Sequence, residues 1–161
     1  MNAIEMLKAQ HRKVSGLFSK LEKSGDSKKK EDLFIEIADG LAIHATIEEH
    51  HFYPGEKEKS TEGILLESVE EHLGIKRVLN DLLDLDVGDE TFDAKVKVLK
   101  DLVEHHVEEE ETNLFPRVER SVAKADLDAI GDAMSEEQAD LEAKGNPREA
   151  VPSEIEKAAP I

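Results

Sequence analysis

Apolar residues recur every three or four positions along almost the whole chain, which is the spacing of one face of an α-helix. Good helix formers (Ala, Leu, Glu and Lys) dominate, and runs that alternate apolar and polar residues in the manner of a strand are missing. Turn-forming residues interrupt the pattern at 24–30, 55–63, 87–89 and 125–126. The breaks predict four long helices and a shorter fifth one, at 3–22, 30–54, 62–86, 90–122 and 126–143.

The helical pattern contains an internal repeat. A shift of 61 positions places the first predicted helix on the third, with His11 on His72, and a shift of 62 places the second on the fourth, with His44 on His106. The second match continues from HATIEEHHFYP to HVEEEETNLFP. Two helical hairpins of similar sequence predict an all-α, up-down-up-down four-helix bundle with pseudo-twofold symmetry.

The end of the chain has a different composition from the helices. From Gly145 onward it reads GNPREAVPSEIEKAAPI and carries three of the five prolines. We therefore expect one domain over residues 1–144, comprising the bundle and the short fifth helix, and a disordered, flexible tail over 145–161.

Composition and charge exclude several classes of protein. With no cysteine among 161 residues, the sequence excludes disulfides, thiolate metal sites, iron–sulfur clusters and cysteine nucleophiles. A net charge of −17 argues against binding to nucleic acids or anionic membrane surfaces. The N-terminus has no apolar signal core, and no stretch approaches the roughly 20 apolar residues of a membrane span. The expectation is a cytoplasmic protein, a monomer or weak homodimer, with small-molecule partners.

Polar residues interrupt the apolar face of every long helix. Each of the four helices carries a histidine on that face, and two of them add a glutamate four residues later: His11, His44, Glu48, His72, His106 and Glu110. Burying unpaired imidazoles and carboxylates is costly, and buried charges are normally paired or bound to metal. A single histidine in such a position is more often a core residue. A set of six arranged by an internal repeat predicts a metal site instead.

The number and type of these residues narrow the choice of metal. Four imidazoles and two carboxylates exceed what one tetrahedral zinc ion needs. They suit two ions, each with two histidines, with both glutamates bridging a gap of roughly 3.5–4 Å. A solvent-derived oxo or hydroxo bridge would leave an open position for oxygen, peroxide or nitric oxide. Mixed imidazole and carboxylate sites suit iron or manganese, and the residue types do not separate the two.

The arrangement resembles the hemerythrin-like, HHE cation-binding family over about residues 3–122. The resemblance rests on His11, the two His-x-x-x-Glu units, His72, and the Glu-Glu-x-x-apolar-aromatic-Pro sequence (EEHHFYP and EETNLFP) that follows each unit. It implies a cofactor of two iron ions with an oxo or hydroxo bridge. It also implies chemistry with oxygen-related small molecules, with no catalytic residues beyond the metal ligands.

One position departs from the oxygen-carrying members of that family. Those proteins bring a second histidine from the third helix, one turn from the first, whereas here the neighbours of His72 at that spacing are Ser68 and Lys76. The chain is more similar to the four-His, two-Glu members, for which iron-centre repair, nitric oxide response and peroxide decomposition have been proposed. The cysteine-bearing extension of some repair-type members is missing, so peroxide decomposition or a stress response is favoured.

Residues beside the predicted ligands have more than one interpretation. Glu49 and Glu111 match each other in the repeat and either orient the histidines by hydrogen bonding or lie on a solvated face. His51 lies seven residues after His44, on the same helix face, and is a candidate donor to the ligands or an additional ligand. Its match in the repeat is Asn113, which argues against a symmetric role.

The repeat also bears on the role of the only tyrosine and on the choice between two adjacent histidines. The only tyrosine, Tyr53, stands where Phe115 stands in the repeat, which predicts a packing role. His105 precedes His106 and could pair with Glu109, but the alignment of the repeat favours His106 as the ligand.

Three functional hypotheses remain open at the level of the sequence. The first is a di-iron enzyme that decomposes peroxide or reduces nitric oxide or oxygen. The second is a protein that binds, stores or senses oxygen or iron without turnover. The third is a purely structural bundle.

Overall fold

Helices account for the regular structure of residues 1–56 and 61–161, which are the residues that this computed structural model describes. No strand occurs among them, which confirms the all-α prediction. The helices are α1 (Ala3–Lys23), α2 (Ser27–Ile47), α3 (Tyr53–Gly55), α4 (Glu62–Leu83), α5 (Phe92–Glu109), α6 (Phe115–Ser121) and α7 (Lys124–Lys144). None of them is long and apolar enough to cross a bilayer.

A π-helical turn interrupts each of the two helices that carry a His-x-x-x-Glu unit. Residues Glu48–Phe52 join α2 to α3, and residues Glu110–Leu114 join α5 to α6. The sequence pattern predicted one helix over 30–54 and one over 90–122, which Pro54 and Pro116 were expected to kink or end, but it did not predict the π turns. The two turns occupy matching positions of the repeat, so the two halves of the bundle share this irregularity.

Side-chain caps explain where the helices begin. The Asn2 side chain accepts a hydrogen bond from the Glu5 N–H at 3.0 Å, and the Glu5 carboxylate accepts one from the Asn2 N–H at 3.0 Å. The Asp26 carboxylate accepts from the Lys29 N–H at 3.0 Å. Because Asp26 caps the helix, α2 begins at Ser27 rather than at residue 30.

The loop between α4 and α5 is longer than predicted because two aspartates bond to its backbone. The Asp86 carboxylate accepts from the Gly88 N–H at 2.8 Å, and the Asp89 carboxylate accepts from the N–H and hydroxyl of Thr91 at 2.8 and 2.7 Å. Such local bonds compete with the helix. As a result α4 ends at Leu83 and α5 begins at Phe92.

Two apolar clusters fill the bundle, one on each side of the histidine layer. One contains Phe18 and Leu79, and the other contains Leu7 and Phe115. On α1, for example, His11 separates the residues of one cluster from those of the other. The metal-binding candidates therefore form a polar layer across an otherwise apolar core.

The C-terminal segment differs from the predicted disordered tail. A 3-10 helix over Pro147–Glu154 packs against α2 and α4, and its Val151 is buried in the core. The Arg148 guanidinium binds the Asp39 carboxylate at 3.0 and 3.1 Å. The buried Val151, this ion pair and the hydrogen bonds from Arg77 to the carbonyls of Ile155 and Glu156 hold a segment whose proline content indicated disorder.

Candidate metal centre

The six residues singled out by the sequence lie together in the polar layer, and all six side chains are buried. Their inward-facing atoms approach one another closely. The contacts are His11 Nε2 to Glu110 Oε2 at 3.2 Å, His44 Nε2 to Glu48 Oε2 at 3.3 Å, His72 Nε2 to Glu48 Oε2 at 3.0 Å and His106 Nε2 to Glu110 Oε1 at 3.4 Å. Four helices and both halves of the repeat thus contribute to one cluster.

A separate side chain holds the outer nitrogen of every histidine in the cluster. The Nδ1 atoms of the four rings lie within hydrogen-bond distance of these partners: His11 with Glu111 at 2.7 Å, His44 with Gln10 at 2.7 Å, His72 with Glu49 at 2.8 Å and His106 with Glu71 at 2.9 Å. Since carboxylate and amide oxygens only accept, each ring donates through Nδ1–H. That tautomer directs the lone pair of each Nε2 into the cluster, as metal binding requires.

Several atoms of the cluster are buried without a hydrogen bond. They are His11 Nε2, His44 Nε2, Glu48 Oε1 and Glu110 Oε2. An unsatisfied buried polar atom is costly, so four such atoms in one place fit a site that holds a cation. Nitrogen lone pairs and carboxylate oxygens that face one another are the donors that a transition-metal ion takes.

The spacing of the donor atoms fits metal coordination. Two overlapping groups have ligand atoms within 4.8 Å of one another, namely His11, His44, Glu48 and Glu110, and Glu48, His72 and His106. The Nε2 atoms of His72 and His106 are 3.1 Å apart. Two nitrogens that each lie about 2.1 Å from one ion, at right angles, are about 3 Å apart. The residues therefore fit the cation that the sequence pattern predicted.

The charges within the layer also favour a cation. Burial lowers the pKa of His44 to about 3, which keeps this imidazole neutral and able to coordinate. Burial alone would lower the pKa of His106 too, but the charge of Glu110 and hydrogen bonds to Glu48 and Glu71 raise it well above its usual value. A negative field that holds protons on buried imidazoles would hold a metal cation in their place.

Tyr53 is part of the cluster, contrary to the packing role that its match with Phe115 predicted. Its buried hydroxyl lies 2.7 Å from Glu110 Oε1, 3.0 Å from Glu48 Oε2 and 3.2 Å from His72 Nε2. Burial and the charges of Glu110 and Glu48 raise the pKa of Tyr53 well above its usual value, so the phenol keeps its proton and donates. The signal in the sequence was a hydroxyl at a core position, because a buried tyrosine needs a polar partner.

The π turn explains how Tyr53 reaches the cluster. Backbone bonds in a π turn run from residue i to i+5, and here the Tyr53 N–H bonds to the carbonyl of Glu48. Tyr53 therefore lies one wide turn after Glu48, on the same face.

Three residues that sequence reasoning did not select support the histidines. Gln10 and Glu71 each precede a predicted ligand and match each other in the repeat, a signal that could have found them. Lys76 is buried, and its ammonium lies 2.9 and 3.1 Å from the two oxygens of Glu49 and 3.0 Å from Glu154. It fixes the carboxylate that holds His72 and ties it to the C-terminal segment.

The remaining histidines lie outside the cluster. His51 Nε2 and His50 Nδ1 contact the two oxygens of Glu137 on α7, at 2.7 and 2.8 Å. In the structure His51 therefore fastens α7 to the π turn and makes no contact with the predicted ligands among the bonds of the described residues. His105 is largely exposed and lies 3.1 Å from Glu71.

A cavity of about 100 Å³ opens between the cluster and the apolar core. All four histidines of the cluster line it, together with apolar side chains such as Leu79 and Val103. Exposed residues, including Lys13 and Glu142, line it as well, so it leads toward solvent. Its volume suits a molecule of two to four atoms, since one water molecule occupies about 30 Å³.

Comparison with known proteins agrees with this geometry. The family model of the hemerythrin HHE cation binding domain matches residues 2–118. A protein of Nostoc sp. strain PCC 7120 named DNA nickase is 31% identical over 123 residues, which is 76% of this chain and 35% of that protein. The chain thus spans about a third of that relative.

A solved structure has the same fold. The crystal structure of a hemerythrin HHE cation binding domain-containing protein from Mycobacterium kansasii superposes with a TM-score of 0.80 at 25% identity, over 89% of each chain. This likeness confirms the hemerythrin-like bundle that the sequence predicted. The chain belongs to the hemerythrin HHE cation-binding family.

Proposed function

We propose that the chain is a non-haem di-iron protein that binds or reacts with oxygen, peroxide or nitric oxide, with peroxide decomposition the favoured activity. The observation that carries the proposal is the convergence of four imidazole nitrogens and two carboxylates, several of them buried without a hydrogen bond. Membership of a cation-binding family supports a metal at this place.

The donor atoms would hold two ions. His11 and His44 would hold one iron, and His72 and His106 the other. Glu48 lies in both groups of donor atoms, and Glu110 approaches a histidine of each pair, so both glutamates would bridge. Hereafter the two places are called the His11–His44 position and the His72–His106 position.

The protein's own residues would orient the site and control access to it. When bound, two iron ions supply the two electron equivalents that reduction or disproportionation of peroxide needs. The Nδ1 partners hold the four rings in place. The Tyr53 hydroxyl is placed to donate a hydrogen bond, or an oxygen ligand, beside His72. The cavity beside the histidines has room for peroxide or a diatomic molecule.

The same cavity supports a second candidate, reversible binding of oxygen or nitric oxide without turnover. Its apolar lining suits an uncharged diatomic molecule. Against oxygen carriage, the positions that would bring a second histidine from α4 hold Ser68, which donates to the Ile64 carbonyl, and Lys76, which binds Glu49.

Peroxide turnover by the iron-loaded protein tests the favoured activity. We expect oxygen evolution well above that of the same amount of free iron, and its loss in His44→Ala and Glu110→Ala, because each removes a ligand. His50→Ala is the matched control, since His50 is exposed and contacts Glu137 instead of the cluster. Turnover no greater than that of free iron would reject the enzyme and favour reversible binding, which oxygen uptake by the reduced protein would then measure.

A further inference from the structure

The internal repeat makes the two proposed metal positions similar but not identical. The four contacts to Nδ1 form two matched pairs. Glu111 on His11 matches Glu49 on His72, and both acceptors are carboxylates, although Glu49 is also paired with the Lys76 ammonium.

The second matched pair breaks the symmetry. Gln10 holds His44 at 2.7 Å, whereas its match Glu71 holds His106 at 2.9 Å. The two distances are nearly equal, so the difference lies in the charge of the acceptor and not in its reach. A carboxylate that accepts from Nδ1–H raises the basicity of the ring and strengthens its bond to a metal, and a neutral amide does so less.

The amide of Gln10 is held in one orientation. Its Nε2 donates to Gln138 Oε1 at 2.9 Å, and Gln138 Nε2 donates in turn to Glu142 Oε1 at 2.8 Å. Because the NH₂ group is engaged with α7, the Oε1 atom of Gln10 is the one that faces His44. The helix α7 therefore helps to place a neutral acceptor behind this ligand.

A second asymmetry acts in the same direction. Tyr53 brings its hydroxyl within 3.2 Å of His72 Nε2. Its match, Phe115, has no oxygen and stacks on the ring of His11, with centroids 5.9 Å apart and planes within 4°. The phenol oxygen and the charged acceptor thus both favour the His72–His106 position.

We propose that the His72–His106 position binds its ion first and more tightly, and that Gln10 and Glu71 set this order. They act as positioning residues, through the histidines they contact. The inference rests on the proposed two-ion site. The predicted ligands are related by pseudo-twofold symmetry, so they do not by themselves predict this difference in affinity between the two positions.

Stepwise loading of the full-length protein tests the order. Metal-free protein receives one equivalent of ⁵⁷Fe(II) and then one of ⁵⁶Fe(II) without oxygen, and Mössbauer spectra and binding isotherms are recorded. We expect a single doublet from the labelled first equivalent and two affinities that differ by about 10- to 100-fold, the range typical of changes in residues that support metal ligands.

Exchanging the two acceptors identifies their role. Glu71→Gln should weaken the first step about tenfold, and Gln10→Glu should strengthen the second, so that each brings the two affinities closer. The double exchange should move the gap between the two affinities in the same direction as each single exchange, by about the sum of the two single changes in free energy. Glu111→Gln is the control, because it neutralises the acceptor of His11 at the weaker position and should widen the gap. If one variant fails to fold, the other still tests the proposal.

The outcomes separate this inference from the proposed function. Two ions bound with equal affinity in the unaltered protein, or a gap that neither exchange changes, would overturn the inference and leave the di-iron site standing. A failure to bind two ions at all would overturn both.

Discussion

At the scale of single residues, one hydroxyl group gives Tyr53 a role that Phe115, its match in the repeat, does not have. The repeat matches it with Phe115, and both rings are buried in the same apolar cluster. Only Tyr53 carries a hydroxyl, and that hydroxyl bonds to both glutamates of the cluster. The hydroxyl therefore has an electrostatic role in addition to packing.

Removing this hydroxyl should destabilise the metal-free protein. In Tyr53→Phe the ring stays and the two buried carboxylates lose a donor, so we expect the free energy of unfolding to fall by about 1.5–3 kcal/mol, as for hydrogen bonds to charged groups. Urea denaturation of the metal-free protein measures it. An unchanged or increased stability would show that the carboxylates do not depend on Tyr53.

The six residues of the cluster were readable from the sequence, and so were Glu49 and Glu111 as candidates to orient the histidines, whereas Gln10 and Glu71 were not selected. A histidine on an apolar helix face points to a metal site because burying an imidazole without a partner is costly. The internal repeat places four such histidines at matched positions, which strengthens the prediction. Gln10 and Glu71 lie beside histidines in a chain rich in polar residues, where one more polar side chain carries little information. The repeat pairs Gln10 with Glu71, but which histidine each one contacts depends on the neighbouring helix that it faces, and the packed bundle defines that.

At the scale of whole elements, the spacing of apolar residues predicted the helices well. It did not predict the two places where the backbone leaves the α-helical geometry. The π turns begin at Glu48 and Glu110, and a proline follows each turn at Pro54 and Pro116. Proline lacks the N–H that would bond to the carbonyl four residues earlier, so the prolines disfavour a regular α turn at these places. The matching Pro residues were thus the available signal for the wide turns.

The C-terminal 3-10 helix contributes to stability through one side chain in particular. Val151 is 2% exposed within the apolar cluster that also contains Leu79. Val151→Ala removes two buried methyl groups and should lower the free energy of unfolding by about 2 kcal/mol.

An exposed valine provides the matched control for that change. Val98 on α5 is 50% exposed, and Val98→Ala should change the free energy of unfolding by less than about 0.5 kcal/mol. Chemical denaturation of both variants measures the difference. Equal effects would mean that residues 147–154 do not pack in solution as they do in the structure.

The whole molecule is a bundle whose apolar core is divided by one layer of charge. Its side chains form a closed set of contacts from α1 to α2, from the first π turn to α4, from α4 to α5 and from the second π turn back to α1. Each contact positions a histidine of one element with an acceptor from another. A layer built in this way is costly in an empty bundle and becomes favourable when cations occupy it.

Metal content per chain, measured together with the near-ultraviolet and visible absorption spectrum of aerobically purified protein, tests the central claim most directly. The two-position site predicts two irons per chain and the absorption bands of an oxo-bridged ferric pair. Zinc, a single ion or no metal, persisting after anaerobic reconstitution with iron, would contradict it.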